Sequence, residues 1–354
     1  MRSLLVRALA VTLGAAALAA GLTAPAQADP PAGTVPVTAD IVGVGSDTTQ
    51  QALNRLSAGY NLGWNANRKL YSFDALPTGT TITAKAGCDP IARPNGSSAG
   101  ITALLAGARP AGVTTDFCLD FARSSRGPRD TEDNLAFIKF AFDSVTWVSD
   151  NVTNAPLNLS IAQLKAIYEC QPTARRWNQV GGTSADNITP VLPQSQSGTR
   201  AFWLTSIGVT TPGTCVVQSE TFQENNQSVV DGFRNRIVPF SVGRWTTFAT
   251  PTTYVHNIEG VNPRNGNPSL DTARGTLNSA FPNTRNLYNV VRLNTTSANP
   301  IPSKLRSAFA PAPDGYVCSN GGQSRVEGEG FGRAATGGDP NVAGEGCGQR
   351  VGPV

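Results

Sequence analysis

The sequence predicts an α/β fold in two lobes, and three observations carry that prediction. Short apolar runs of strand type alternate with segments whose apolar residues recur at helical spacing. One longer run, Phe137 to Phe142 continuing into Val145 to Val148, has the apolar continuity of a buried strand that crosses between lobes. Of the 354 residues, about 325 remain after an N-terminal leader, enough for two ordinary cores or one large one.

The leader is read from its charge and its small residues. Arg2 and Arg7 precede an apolar run from Ala8 to Leu22, and Ala26-Gln27-Ala28 stands before Asp29, the pattern of a cleavable signal peptide over residues 1–28. The run is short for a membrane span. The first cysteine, Cys88, lies far from the cleavage point, so no lipobox cysteine is expected and the protein is expected to be secreted and extracellular. Of the 28 Lys and Arg, two fall in the leader, which leaves 26 basic residues against 24 acidic ones. That near-neutral balance gives no support for nucleic acid as a partner, and the Arg175-Arg176 pair beside Trp177 reads as ordinary surface. The protein is expected to act as a monomer.

Six cysteines in an exported chain predict three disulfides. Fifteen pairings are open. The sequential set is expected, Cys88 with Cys118, Cys170 with Cys215 and Cys318 with Cys347, because each closes a moderate loop inside one lobe. With a single histidine in the chain, no metal site is expected, and nothing calls for a cofactor.

Along the chain, residues 29–37 form a loose Pro- and Gly-rich lead-in. The run Ile41 to Val44 then stops at Gly45-Ser46-Asp47-Thr48, and Leu53, Leu56 and Tyr60 follow at helical spacing. This is strand, tight turn, helix. The same grammar recurs at Asn95-Gly96-Ser97-Ser98-Ala99-Gly100 ahead of Ile101, Leu104 and Leu105, and again where Ile188 to Leu192 leads through Gln196-Ser197-Gly198-Thr199 into Ala201 to Leu204. Each turn offers hydroxyls, free N–H groups and the positive end of a helix dipole. Tyr288 to Leu293 is a second strand-like run and the return crossing. These crossings place one lobe at 37–147 plus 289–354 and the other at 148–288. The stretch Gly321 to Gly348 has the glycine content of a disordered segment, yet Cys347 argues that it is tied down.

Two other functions have hooks in the sequence. Gly96 to Gly100 matches G-x-S-x-G, with Ser98 as nucleophile and His256 downstream in the order of an α/β-hydrolase triad. That motif needs a strand leading directly into the serine, and Ile91 to Asn95 is poor strand sequence; His256 reads as a turn or surface residue. A surface interaction domain is the other alternative, although no repeat or apolar stripe suggests a sticky face.

The segment Leu159 to Tyr168, followed by Trp177-Asn178-Gln179-Val180-Gly181-Gly182, resembles the second-lobe signature of the substrate-binding proteins of phosphate ABC transporters. The Gly45 to Thr48 turn, the Gly96 to Gly100 turn, Phe121 to Ser125, Ser197 to Thr199, Glu224 to Asn226 and Ile237 to Ser241 follow in that family's order. The resemblance implies a type II periplasmic-binding-protein-like fold with the ligand cleft between the lobes, and a non-enzymatic protein that captures a small oxyanion, foremost inorganic phosphate, for uptake by an ABC permease. It places ligand contacts on Ser46, Asp47, Thr48, Ser97, Ser98, Ser197, Gly198 and Thr199, with Ser125 beside them. Two positions depart from the family. Where it commonly has a proton-accepting aspartate, this chain reads Arg123-Ser124-Ser125-Arg126, and where it has an arginine four residues before the third-turn serine, this chain has Pro193. Asp47 is the replacement acceptor this reading offers, and Arg123, Arg126 and Arg200 are the replacement cations.

Overall fold

The structure, a computed structural model, describes residues 29–248, 252–265, 276–295, 299–334 and 346–351. The leader lies outside them, as does 335–345 of the glycine-rich stretch. From the N-terminus, β1 (Ile41–Gly45) turns into α1 (Gln50–Asn61), followed by β2 (Leu70–Ser72), the hairpin β3 (Thr81–Ile82) and β4 (Ile91–Ala92), α2 (Ser97–Leu105) and β5 (Phe121–Ser124). The long β6 (Leu135–Asp150) enters the second lobe. There β7 (Asn158–Leu159), α3 (Ile161–Tyr168), β8 (Thr189–Leu192), α4 (Gly198–Ser206), β9 (Val217–Gln218), β10 (Arg236–Ser241), α5 (Val242–Thr246), β11 (Thr253–Val255), β12 (Asn257–Ile258), β13 (Arg264–Asn265) and β14 (Thr276–Leu277) follow. The chain returns on β15 (Thr284–Arg292) and ends with α6 (Arg306–Phe309), α7 (Asn320–Gly328), β16 (Gly332–Arg333) and β17 (Arg350–Val351).

One sheet runs through both lobes in the order β2-β1-β5-β15-β6-β10-β8-β9. In the first lobe β1 lies parallel to β2 and β5, the arrangement that strand–turn–helix units produce. β15 is antiparallel to both β5 and β6. In the second lobe β10 is antiparallel to β6 and parallel to β8.

β6 joins the halves because its apolar alternation continues through both cores. Ala136, Ile138 and Phe140 enter one core of the first lobe while Leu135 and Phe137 enter the core on the opposite face. Further along, Val145 and Trp147 pack into one core of the second lobe and Val148 into the other. A strand with side chains alternating at period two and covered on both faces requires this uninterrupted apolar composition.

The helices follow their apolar spacing. Leu53, Leu56 and Tyr60 of α1 are fully buried, and the Tyr60 ring meets Tyr316 edge-on at 5.9 Å. Ser160 caps α3 in a reciprocal box with Gln163, which explains why that helix starts where the signature segment does. All three disulfides join the sequential pairs, Cys88–Cys118, Cys170–Cys215 and Cys318–Cys347.

Composition misleads in the glycine-rich C-terminal stretch. Its first part is the helix α7, N-capped by Ser319, and Val326 is fully buried. Gly322 is needed there, since a Cβ would come within 2.2 Å of the Tyr316 carbonyl oxygen. Trp177, read beside surface arginines, is itself fully buried, its Nε1 donating to Asn235 at 2.9 Å. His256 is also interior rather than at a turn or surface. It stacks on Trp147 with ring centroids 3.7 Å apart, and burial pushes its pKa down to about 3.

Candidate functional site

The three Ser/Thr turns meet between the lobes. The β1–α1 turn is fixed from below by Arg123, whose Nε donates to the Ser46 carbonyl at 2.9 Å and whose remaining bonds go to Gly45, Phe73 and Ser72. Gly45, with φ of +122°, lets the chain pass over β5 where a Cβ would meet the Arg123 carbonyl oxygen at 2.6 Å. Neither α1 nor α2 has a side-chain cap at its N-terminus. The hydroxyls of Ser46, Thr48 and Ser97 are therefore free of the capping task that usually explains such residues, and they are spent on one another.

Ser46 Oγ donates to Ser125 Oγ at 3.1 Å, Ser97 and Ser125 hydroxyls lie 3.2 Å apart, and the Ser125 N–H donates to Ser97 Oγ at 3.0 Å. From the opposite lobe, Thr199 Oγ1 comes within 3.3 Å of Thr48 Oγ1. Gly198 seats against this cluster so closely that a Cβ would fall 2.2 Å from Ser97 Oγ and 2.5 Å from Ser125 Oγ. Ser98 N–H donates across the gap to the Gln196 carbonyl at 3.2 Å. The lobes are shut on each other. Ser197 has the bland role, its Oγ capping α4 by accepting from the Arg200 N–H at 3.1 Å.

The arginines divide in a way sequence did not indicate. Arg123 is fully buried and committed to the turn, and desolvation lowers its pKa to about 10. Arg126 is bound bidentately by Glu132 at 2.7 and 2.9 Å, with its Nε on Ser98 Oγ at 3.3 Å. Arg200 donates to the Pro193 carbonyl and to Gln218, beside α4. The cation among the hydroxyls is instead Arg285, on β15. Its Nη1 donates to Thr199 Oγ1 at 2.8 Å and to the Ser125 carbonyl at 3.0 Å, joining one lobe to the other. Its Nη2 is held by Asp143 at 2.8 Å, directly opposite on β6. Asp143 Oδ1 also accepts from the Gly243 N–H at 3.0 Å.

Two carboxyls complete the cluster. Asp47 and Glu224 are buried, and Glu224 Oε1 accepts from Thr48 Oγ1 at 2.8 Å. Burial first and the Glu224 charge second push the Asp47 carboxyl well above the usual carboxylate range, with the backbone N–H groups of Asp47 and Thr48 offsetting part of that rise.

The strand-and-turn architecture, with its cluster of turn hydroxyls between the lobes, matches known proteins. A family model described as a PBP superfamily domain matches residues 24–304. The chain belongs to this family. Among solved structures, a phosphate ABC transporter substrate-binding protein with bound phosphate from Clostridium perfringens is similar at TM-score 0.60 and 17% identity, covering 84% of this chain and 100% of that one. An ABC-type phosphate transport receptor from Vibrio cholerae is similar at TM-score 0.54 and 19% identity, covering 82% and 98%. No curated protein matches in sequence. The two-lobed periplasmic-binding-protein fold is thus the fold of this chain. Among the described residues no helix is long and apolar enough to cross a membrane.

The hydrolase alternative fails on geometry. Ser98 Oγ is engaged by Arg126 and Arg129, each at 3.3 Å, whereas His256 Nε2 pairs with Ser149 at 2.7 Å inside the second lobe. Among the described residues no general base is hydrogen-bonded to that serine.

Proposed function

We propose that this PBP-family protein captures a small tetrahedral oxyanion, inorganic phosphate foremost, by closing its lobes on it, and that the loaded form serves uptake through an ABC permease after secretion. The observation that carries the reading is Arg285. From the joining strand it reaches Thr199 of one lobe and Ser125 of the other, so one guanidinium sees both halves of the cleft.

The chemistry suits a dehydrated anion. The hydroxyls of Ser46, Thr48, Ser97, Ser125 and Thr199 are donors that rotate to suit a ligand. The first N–H groups of α4, at Gly198 and Thr199, have no intrahelical acceptor and carry the positive end of the helix dipole. Hydrogen bonds to a charged group contribute about 1.5 to 3 kcal/mol each. Bonds that only the shut form completes make the ligand favour that form over the open one. The resemblance to phosphate-binding structures supports phosphate over other oxyanions, and Arg285 supplies the positive charge missing at Pro193.

Titration calorimetry of the ligand-stripped protein against phosphate and sulfate, each at two pH values, tests this. Phosphate is expected to bind well below about 1 mM. A folded protein that binds neither anion below that concentration refutes the reading.

A further inference from the structure

Asp47 and Glu224 come from opposite lobes, Asp47 from the β1–α1 turn and Glu224 from the segment leading into β10. They are 1% and 0% exposed. Neither side-chain oxygen of Asp47 nor Oε2 of Glu224 meets a side-chain donor. The charged groups on the surrounding elements are committed elsewhere. Arg123 on β5 donates to the first turn, Arg244 on α5 is held by Glu329, and Arg285 on β15 is held by Asp143 on β6. Two ionised carboxylates in this setting would place like charges together out of water, offset only by the backbone N–H groups of Asp47 and Thr48 and by the pull of Arg123 and Arg244, both paired elsewhere. They would also oppose the charge of the anion proposed above.

One proton removes both difficulties. A protonated carboxyl has an O–H to donate and its neighbour remains the acceptor. We propose that Asp47 and Glu224 share a proton when the lobes are shut, so that anion capture takes up a proton from solvent, a step that rests on the oxyanion reading above. Opening parts the two carboxyls and returns them to water, which removes the burial and the like-charge neighbour that hold the proton. The rise of the Asp47 carboxyl, caused by burial and by Glu224, agrees with this geometry. The sign follows from linkage. A group whose pKa is higher in the shut form favours that form below the open-state value, and the preference is lost as pH rises through the shut-form value. Affinity gains up to about tenfold per pH unit of acidification within that window, beyond any change due to the anion's own titration.

The test is calorimetry with inorganic phosphate at pH 7, in buffers of different ionisation heat, on the wild type and on Glu224→Gln. The amide keeps the shape but holds no exchangeable acid proton. Phosphate's own protonation change contributes to both proteins, so the difference in protons taken up reports the pair. The wild type is expected to take up more, by as much as one per phosphate. Asp47→Asn removes the other member, carries the same expectation and replaces the first variant if that one does not fold. Phosphate binding with equal proton counts in wild type and variant overturns the shared proton and leaves the oxyanion reading standing. No phosphate heat in the wild type in any buffer overturns the proton uptake, and the oxyanion reading falls with it if sulfate gives none either.

Discussion

Gly198→Ala should abolish tight closure without harming the fold. The added Cβ would lie 2.2 Å from Ser97 Oγ, 2.5 Å from Ser125 Oγ and 3.0 Å from Ser97 Cβ, all on the facing lobe; turning the hydroxyls aside relieves the first two contacts but not the third, so the expected response is that the shut form parts. Parting breaks the bonds that span the gap. These are Arg285 to Thr199 at 2.8 Å, Thr48 to Thr199 at 3.3 Å and Ser98 N–H to Gln196 at 3.2 Å. With about 1.5 to 3 kcal/mol for the charged bond and about 0.5 to 1.5 for each neutral one, the shut form loses about 2.5 to 6 kcal/mol. Phosphate affinity should fall by about fiftyfold or more. Gly198 is the first residue of α4, where alanine is the better helix former by as much as about 1 kcal/mol. Thermal unfolding without phosphate should therefore stay level or rise while calorimetric affinity collapses. A dissociation constant within threefold of wild type, in a protein of unchanged Tm, would refute the assignment of this contact to closure.

Other perturbations probe separate parts of the argument. Arg285→Ala strands Asp143 in the interior and should cost about 3 to 5 kcal/mol in urea unfolding. The double variant with Asp143→Ala should lose less than the sum of the single changes, and strict additivity would sink the buried pair. Ser97→Ala should weaken phosphate binding more than Ser98→Ala, because Ser98 Oγ is engaged by Arg126 and Arg129 whereas Ser97 Oγ contacts Ser125 in the cluster; calorimetry of the two variants decides. His256 has a folded pKa of about 3 against an ordinary 6.5. Its neutral form thus contributes stability that is fully present above pH 6.5 and is lost as pH falls from 6.5 toward 3. His256→Gln should flatten the urea midpoint between pH 7 and pH 4 relative to wild type, and parallel curves would contradict the burial argument.

The fold was legible because its elements have local signatures. Ile41 to Val44, the Phe137 to Val148 run and the capped start at Ser160 all announce themselves by composition and spacing, and they became β1, β6 and α3. The cluster of turn hydroxyls was legible for the same reason, since each stands at the start of a helix. Arg285 was not, because its place depends on a pairing across 142 residues with Asp143. A signal existed in Asp143, an acidic residue inside an apolar strand that burial obliges to find a partner. Arg285 itself precedes the apolar run at Tyr288 and only joins it because β15 starts at Thr284. Glu224 was visible only as part of a motif order, and its meeting with Asp47 is a product of closure that no local pattern encodes. The single histidine misled because buried histidines carry no periodic mark.

The covalent cross-links respect the division between halves. Cys88–Cys118 and Cys318–Cys347 sit in the cores around β1, β5 and α1, and Cys170–Cys215 borders the core of α3 and α4. None of these bridges ties one half to the other. Reducing agents should consequently make each half easier to melt or to digest with protease, while leaving the swing of one half against the other as soft as before. Endurance and mobility are in this way governed by different bonds, and a harsh, oxidising environment can toughen the molecule without stiffening its grip.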